Sequence, residues 1–341
     1  MTMTETITMA HGSGGQATGE LIAGIFAEEF DNEILNQMED SAVVPGSSRI
    51  ALTTDSFVVT PLEYRGGNIG RLSVCGTVND LLMRGATPKY LTAGFILQEG
   101  LSTELLRRVV HAMAETAREA GVQIVAGDTK VIDAEQSRGG MMINTAGVGF
   151  VPEGLEIGAS GARDGDAILV SGNMGDHHAA ILSERMQIDT DIQSDNAPLG
   201  EMVQSLIAAG VKVHVLRDIT RGGLGTVLKE LAEACGLVFT LESDAVPVSP
   251  RVRDFCGLLG LDPMYMGNEG KLTAIVDGAD AEKALAVIRA SRYGADAAII
   301  GRVTTAEKSE GGRPGDLLMR TPVGGMRRMD VLQGEGLPRI C

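Results

Sequence analysis

The sequence predicts an α/β protein with two domains. The chain has 341 residues, which is more than one ordinary hydrophobic core holds. Segments rich in β-branched residues alternate with amphipathic segments of helical period. The 45 glycines cluster between these segments, a pattern typical of α/β proteins with tight turns near a ligand.

The first half is predicted to alternate strands and helices after a glycine-rich beginning. Ser102 is placed to cap a long amphipathic helix, and Gly121 is placed to end it. Strands are predicted at 50–60, 90–98, 122–125 and 141–151, and helices near 21–30, at 69–84 and between Ser102 and Gly121.

A glycine-rich, weakly periodic stretch at 152–166 marks the predicted boundary between the domains. The final stretch, 311–341, is rich in glycine and proline and is expected to be only partly ordered. In the second half, strands are predicted at 167–171, 237–241, 272–276 and 297–303, and helices near 178–185, 199–209, 223–235 and 281–291. The predicted division is 1–155, 156–310 and a C-terminal segment, 311–341.

The charge of the chain limits its partners. A formal net charge of -16 argues against a nucleic acid or an anionic membrane as partner. A phosphate ligand of so acidic a chain implies a divalent metal. The sequence has no apolar run of about 18 residues, no secretory signal and no CxxC pair among its four cysteines. We therefore expect a cytoplasmic protein with no disulfide framework.

Three aspartates at the ends of β-rich segments are candidate ligands of Mg²⁺: Asp55, Asp80 and Asp128. The chain contains no GxxxxGK[ST] motif and no GxGxxG after a strand, so a phosphate site has to be built in another way. Magnesium takes carboxylates together with phosphate oxygens and waters. Each aspartate alone is more often a helix cap or a turn residue.

Other motifs have both a functional and a structural interpretation. Gly222 and Gly223, after Asp218, can let backbone N–H groups approach an anion, or can simply begin a helix. The pair Asn268–Glu269 precedes a strand, where a β-turn is the simpler interpretation. The segment at 11–15, HGSGG, is either a lid over phosphates or a flexible tail. The adjacent residues His177 and His178 make a poor metal pair.

The last residue, Cys341, is a candidate nucleophile. A prenylation signal needs its cysteine four residues from the end, so that interpretation fails. A thiolate can attack an electrophile, and an exposed thiol is otherwise a liability. Composition alone still favours an accidental terminal cysteine.

Eight motifs together resemble the HypE family of hydrogenase maturation proteins, over nearly the whole chain. This family belongs to the superfamily of aminoimidazole ribonucleotide (AIR) synthetase, selenide water dikinase and thiamine-monophosphate kinase. Segments like GDTK and DITRGG point to the superfamily, and the terminal PRIC is specific to HypE. The motifs are HGSGG (11–15), TTDSF (53–57), GGNIGRL (66–72), TVNDLL (77–82), GDTKV (127–131), DITRGGLG (218–225), NEGK (268–271) and PRIC (338–341).

The resemblance implies a two-domain α/β fold of the AIR-synthetase type, in which the N-terminal domains of two chains pair into a β-barrel. It implies ATP and Mg²⁺ as cofactors, bound near that interface of a homodimer. One departure is His178, where the family more often has glycine. The residues that match the family's metal ligands are Asp55, Asp80 and Asp128; those at further nucleotide-binding positions are Asn79, Asp218, Gly222, Gly223 and Asn268; and those at catalytic positions are Lys130, Glu269 and Cys341.

The reaction implied by the resemblance takes place on Cys341. A carbamoyltransferase, HypF, places a carbamoyl group on the thiol, and the chain dehydrates this group to a thiocyanate with ATP. The HypC–HypD complex then accepts the cyanide for a nickel–iron hydrogenase. Two alternatives are a small-molecule ATP-dependent kinase or synthetase of the same superfamily and a dimeric carrier without catalysis. Neither kinase nor synthetase needs a terminal cysteine, and a carrier does not need the three aspartates.

Overall fold

The computed structural model describes residues 6–12, 16–37, 41–133 and 140–332 of the chain. Cys341 and residues 13–15 of the HGSGG motif lie outside the described residues. Within the described ranges, no helix is both long enough and apolar enough to cross a membrane.

The N-terminal half is built on a four-stranded sheet with the strand order β1-β6-β4-β5. Strands β4 and β5 are parallel, whereas β6 runs antiparallel to both β1 and β4. The strands of this half are β1 (Ile50–Phe57), β2 (Glu63–Tyr64), β3 (Gly67–Asn68), β4 (Thr87–Gln98), β5 (Gln123–Ile132) and β6 (Met141–Phe150). The helices are α1 (Gln16–Leu21), α2 (Glu28–Phe30), α3 (Ile69–Leu82) and α4 (Thr103–Ala120), with a π-helical turn between α1 and α2.

The C-terminal half is built on a seven-stranded sheet with the order β13-β12-β9-β11-β7-β10-β8. All neighbours are antiparallel except β12 and β9, which are parallel. Its strands are β7 (Ala167–Val170), β8 (Val213–Asp218), β9 (Val238–Glu242), β10 (Leu272–Val276), β11 (Ala298–Thr304), β12 (Leu317–Arg320) and β13 (Met326–Met329). Its helices are α5 (Asp176–Met186), α6 (Gly200–Ala208), α7 (Gly223–Cys235), α8 (Pro250–Leu259) and α9 (Ala281–Ala290).

Helix α4 shows how local chemistry sets an element. The Ser102 hydroxyl accepts a hydrogen bond from the N–H of Leu105 at 3.4 Å, and Gly121 ends the helix with a left-handed φ of 69°. Its apolar residues Leu106, Val109 and Met113 are fully buried. The start, the end and the buried face predicted for this helix are confirmed.

Several elements differ from the prediction. The strand expected at 122–125 continues to Ile132, and both β8 and α8 were missed. The stretch after 311 was expected to be only partly ordered, but its first part forms β12 and β13 at one edge of the large sheet. In the described part of this stretch, glycine and proline lie before β12 and in the turn between β12 and β13, outside both strands, which explains the difference.

A connecting segment, 194–199, holds the two halves together. The Asn79 side chain donates to the carbonyl of Ala197 at 3.0 Å and accepts from the N–H of Leu199 at 2.9 Å. On the other side, the Asp195 carboxylate accepts from the N–H of Glu269 at 3.0 Å. A Cβ atom at Gly270 would lie 1.9 Å from the Asp195 carbonyl oxygen, so the segment is tightly packed there.

Candidate functional site

The candidate site is a cavity of about 500 Å³ at the junction of the two halves. Four carboxylates line it. Asp55 in β1 and Asp80 in α3 come from the N-terminal half. Asp218, at the end of β8, and Glu269, just before β10, come from the C-terminal half. The structure thus brings together four of the residues that the sequence singled out.

Asp55 and Asp80 each accept a hydrogen bond from a residue of β1. The hydroxyl of Thr53 donates to Asp80 Oδ2 at 2.8 Å, and the N–H of Ser56 donates to Asp55 Oδ1 at 2.9 Å. A Cβ atom at Gly76 would lie 3.3 Å from Asp55 Oδ2 and 2.8 Å from the Phe57 ring, so a glycine leaves the space that this carboxylate occupies. Burial raises the pKa of both carboxyl groups.

The two carboxylates from the C-terminal half are more strongly perturbed. Burial, with a contribution from the charge of Asp80, raises the pKa of Asp218 to about 7. Burial also raises the pKa of Glu269 well above its usual range, and the charges of Asp218 and Asp195 add to this effect. The Glu269 side chain is 4% exposed, and its Oε1 atom has no hydrogen-bond partner among the described residues. Such an oxygen can bind a cation or accept a hydrogen bond from a donor in the cavity.

The donor set of this cavity fits a divalent cation bound with phosphate. A hard cation such as Mg²⁺ is commonly held by one or two carboxylates, and phosphate oxygens and waters complete its coordination. Within the described part of the chain, no group of three or more Asp, Glu, His or Cys side chains is arranged to hold a metal ion. Asp55 and Asp80 are two carboxylates at one cavity, the number that such a cation commonly uses, and Arg84, Arg217 and Arg221 supply positive charge there.

Asp128 and Lys130 lie elsewhere in the chain. Both belong to β5, at the opposite edge of the four-stranded sheet from β1, and Lys130 Nζ donates to Asp128 Oδ1 at 2.9 Å on the surface. Asp128 borders a second, largely apolar cavity of about 230 Å³, which is lined by Phe26, Phe30 and Phe95. One chain therefore does not bring Asp128 beside Asp55 and Asp80, nor Lys130 beside Glu269.

Two candidate amides have structural partners. Asn79 is 2% exposed and bridges two main-chain groups of the connecting segment. Asn268 is fully buried, and its Oδ1 accepts from the N–H of Gly175 at 2.7 Å. These contacts hold the chain next to Asp80 and Glu269, so the simplest role for both amides in one chain is positional.

The two glycines at the start of α7 adopt a backbone conformation, and pack at a distance, that favour glycine. Gly222 and Gly223 have φ of 82° and 65°, values that side-chain-bearing residues rarely adopt. A Cβ atom at Gly223 would lie 2.6 Å from the carbonyl oxygen of Met264, so the start of α7 packs closely on the neighbouring turn. This packing places Arg221 and Asp218 at the mouth of the cavity.

The histidine pair is structural in this chain. His178 lies inside α5 with a helical backbone, and the positive φ of 90° belongs to Gly175. A histidine at 178 is therefore compatible with the backbone. Burial lowers the pKa of His178 to about 3, so the ring is neutral, and Nδ1 accepts from the N–H of Gly267 at 3.3 Å.

The sequence motifs did not single out Thr53 or the three arginines of the site, Arg84, Arg217 and Arg221. Thr53 and Arg221 lie inside motifs that had been singled out, TTDSF and DITRGGLG, so an inspection of each motif residue would have found them. Arg217 carries no sequence signal, because it reaches the cavity only through the position of β8.

Comparison with known proteins covers both halves of the chain. The family model of the AIR synthase related protein N-terminal domain matches residues 38–151, and that of the C-terminal domain matches residues 163–312. Carbamoyl dehydratase HypE of Cupriavidus necator is 51% identical over 340 residues, covering 98% of this chain and 95% of the relative.

Solved structures agree. A crystal structure of the hydrogenase maturation protein HypE in complex with ATP superposes with a TM-score of 0.96 at 46% identity, covering 98% of this chain and 100% of that one. A HypE–HypF complex structure matches with a TM-score of 0.79 at 43% identity, covering 92% and 99% of the two chains. A thiamine monophosphate kinase of Aquifex aeolicus, at 19% identity and a TM-score of 0.62, with coverage of 93% and 100%, shares the fold.

Proposed function

Because the chain belongs to the HypE family of carbamoyl dehydratases, we propose that it dehydrates a carbamoyl group on its own Cys341 to a thiocyanate with ATP. The observation that carries this proposal is the similarity to a carbamoyl dehydratase over nearly the whole chain, together with Cys341 in the PRIC segment. The cavity lined by four carboxylates supplies a place for the chemistry.

The residues of the cavity fit a nucleotide with a divalent cation. Asp55 and Asp80 would hold Mg²⁺, and Asp128 is a third candidate ligand. Bound ATP with Mg²⁺ would supply the phosphoryl group that makes the amide oxygen a good leaving group. The apolar cavity beside Asp128 offers aromatic side chains to a flat base, and an ATP complex is known for a relative.

Glu269 and Lys130 are proposed to move the protons of the carbamoyl nitrogen. A raised pKa makes the ionised Glu269 a stronger base, and a cation in the cavity favours its ionised form. Its unpartnered Oε1 is free to accept a proton from a substrate. The position of Glu269 is fixed by the bond from its N–H to Asp195, at the buried junction of the two halves. Burial there also limits the water that would hydrolyse an activated carbon.

The two parts of the site require a second chain. Strands β1 and β5 are the two edges of the four-stranded sheet, three strand spacings or about 14 Å apart. A homodimer in which β1 of one chain lies beside β5 of its partner would bring Asp55 and Asp80 next to Asp128 and Lys130 of the partner subunit. We propose this arrangement as the intersubunit barrel, and it explains why one chain separates the predicted ligands.

Complementation between inactive variants tests this arrangement. Asp80→Asn and Lys130→Ala homodimers each have two defective sites, whereas a mixed dimer has one intact site if each site takes residues from both chains. Random co-assembly should then restore about a quarter of the wild-type activity. A mixture as inactive as either parent would mean that each site lies within one chain.

The proposed partners follow from the same reaction. HypF would carbamoylate Cys341 in the cytoplasm; the association with HypF is supported by a HypE–HypF complex structure of a relative. The HypC–HypD complex would then accept the cyanide for the nickel–iron centre of a hydrogenase. The role in hydrogenase maturation agrees with the names of the relatives.

An assay of ATP consumption separates this function from its alternatives. Protein carbamoylated on Cys341 should consume ATP and release phosphate, and unmodified protein should consume much less. A small-molecule kinase would need an added substrate and would be indifferent to Cys341→Ala. A carrier without catalysis would consume no ATP in either form, and this result would contradict the proposal.

A further inference from the structure

Lys271, the last residue of the NEGK motif, is a buried cation close to the candidate site. Its side chain is 10% exposed, and its Nζ lies 3.5 Å from Asp195 Oδ2. A Cβ atom at Gly172 would lie 2.9 Å from Lys271 Cε, so the side chain is closely confined. Lys271 is absent from the described residues that line the cavity, so any effect that it has on the site passes through a neighbour.

Burial makes this cation depend on its partner. A buried charge without an opposite charge is strongly destabilising, whereas a buried ion pair often adds no more stability than apolar residues of the same volume. In the described ranges, Asp195 is the one carboxylate within 4.0 Å of Lys271, and the Asp195 side chain is 4% exposed. Stability alone therefore does not explain why a lysine occupies this position.

Asp195 connects Lys271 to Glu269. Its Oδ1 accepts from the N–H of Glu269 at 3.0 Å. Its Oδ2 lies beside Lys271 and has no hydrogen-bond partner among the described residues. The carbonyl of Glu269 accepts in turn from the N–H of Ala197 at 3.4 Å. The main chain of Glu269 is therefore held on both sides by the connecting segment, and the Asp195 carboxylate makes one of the two contacts.

A second carboxylate, that of Asp176 in the first turn of α5, lies close to the same pair. Burial raises the pKa of Asp176 to about 6; the charge of Asp195 adds to this effect, and the charge of Lys271 opposes it. Lys271 therefore balances both carboxylates. Without its charge, Asp195 and Asp176 would repel each other, and the Asp195 carboxylate would tend to turn away from the N–H of Glu269.

We propose that Lys271 is a positioning residue for Glu269 and that it acts through Asp195. The ion pair keeps the Asp195 carboxylate in the orientation that accepts from the N–H of Glu269, and this bond fixes the main chain from which the Glu269 side chain reaches the cavity. The inference rests on the proposed role of Glu269 as a base in the dehydration. A base displaced by about 1 Å can lose about 10²-fold in rate, so loss of the pair should slow the reaction without weakening ATP binding.

Three variants of the full-length chain test this coupling: Lys271→Met, Asp195→Asn and the double variant. Methionine removes the charge of the lysine and keeps an unbranched side chain, and asparagine keeps an oxygen that can accept from the N–H of Glu269. The control is Lys229→Met on α7, which removes another poorly exposed lysine, at 13%, from its ion pair with Glu233. Two properties are measured: the hydrogen exchange of the Glu269 amide by NMR without nucleotide, and kcat and KM for ATP in the dehydration.

The proposal predicts that Lys271→Met raises the exchange rate of the Glu269 amide about tenfold and lowers kcat about 10–100-fold, with KM for ATP unchanged. The double variant has no unpaired charge and should lie closer to the wild type than Lys271→Met in both properties. Lys229→Met should match the wild type.

Three results would overturn the proposal: wild-type exchange in Lys271→Met, faster exchange with an unchanged kcat, or a double variant in which the two defects multiply. If Lys271→Met does not fold, Asp195→Asn and the double variant decide: a double variant closer to the wild type supports the coupling, and one more defective than Asp195→Asn contradicts it. Amide exchange needs neither a carbamoyl group nor turnover, so a wild type that forms no thiocyanate would contradict the dehydratase function separately.

Discussion

Glu269 is the residue whose environment differs most from that of an ordinary carboxylate. It is 4% exposed, its Oε1 lacks a hydrogen-bond partner among the described residues, and burial raises its pKa. We expect Glu269→Gln to keep nucleotide binding and to slow nitrile formation about 10²–10⁴-fold, the usual contribution of a positioned base. Lys130→Ala should act in the same direction.

The measurement is the infrared band of the thiocyanate, followed in time after ATP is added. Glu201→Gln, an exposed glutamate on α6, is the matched control and should form product at the wild-type rate. If Glu269→Gln and Lys130→Ala also form the thiocyanate at the wild-type rate, neither residue has a catalytic role.

Asp218 gives the fold a dependence on pH. An aspartate in the unfolded chain titrates near pH 3.9, whereas burial raises the pKa of Asp218 in the folded chain to about 7. Between these values the folded state holds a proton that the unfolded state has lost, so the free energy of unfolding falls as pH rises from about 4 to about 7. Asp218→Asn removes the ionisable group and with it this fall in the free energy of unfolding.

In metal-free buffer, Asp218→Asn should therefore exceed the wild type by about 1–2 kcal/mol in free energy of unfolding at pH 8, after allowance for solvent in the cavity. The difference should shrink towards pH 4. Denaturant titrations at several pH values measure it, with Asp254→Asn on the surface of α8 as the control. A difference that is independent of pH would mean that Asp218 is not buried in this way.

The sequence anticipated the carboxylates of the cavity better than the amides. Asp55, Asp80 and Glu269 were recognised from their motifs, and the structure places them together. The partners of Asn79 are the main-chain groups of a segment more than 100 residues away, and no local pattern shows such contacts. The motifs therefore indicated which side chains could bind a metal or a nucleotide. The contacts that each side chain makes depend on the tertiary fold and could not be predicted from the motif.

At the scale of elements, local composition identified those with a clear period. Helix α4 and strand β1 were recognised from their amphipathic face and their β-branched residues. Helix α8 was missed because its ten residues bury only Val252, Phe255 and Cys256. Strands β12 and β13 were missed because each has four residues and depends on pairing, β12 with the distant β9 and β13 with β12.

The connecting segment at 194–199 is the element that joins the two halves, and Asn79 is its main anchor. Asn79→Ala would leave a buried carbonyl and a buried N–H without partners, which should lower the free energy of unfolding by about 2–4 kcal/mol. Thermal unfolding without nucleotide measures the loss, and Asn36→Ala at an exposed position is the control. The folded variant should retain its affinity for ATP. A normal melting temperature with a lost affinity would instead assign Asn79 to the nucleotide.

At the scale of the molecule, the residues that the structure describes leave one face of the four-stranded sheet uncovered. Four strands do not close a barrel, and Ile50, Leu52 and Ile96 are 51%, 69% and 41% exposed on this sheet. Sequence patterns predicted the strands, but a single chain cannot show what covers this face. The proposed homodimer covers it and also joins the two parts of the site.

Light scattering of two matched variants tests the dimer. Leu52→Glu places a charge on the uncovered face and should shift the protein from dimer to monomer at micromolar concentration. Leu258→Glu, at a 74% exposed position on α8, should leave a dimer. Circular dichroism confirms that both variants are folded. A wild-type monomer, or a Leu52→Glu variant that stays dimeric, would contradict this interface.

The most direct test of the whole account follows an isotope-labelled carbamoyl group on Cys341 by mass spectrometry and infrared spectroscopy. After ATP and Mg²⁺ are added, the C-terminal peptide should lose the mass of one water, and the labelled carbon should appear in a nitrile band. Cys341→Ala should give neither adduct nor band while it retains its fold. A carbamoyl adduct on another cysteine, with Cys341→Ala still forming the nitrile, would contradict the claim that this chain acts on its own last residue.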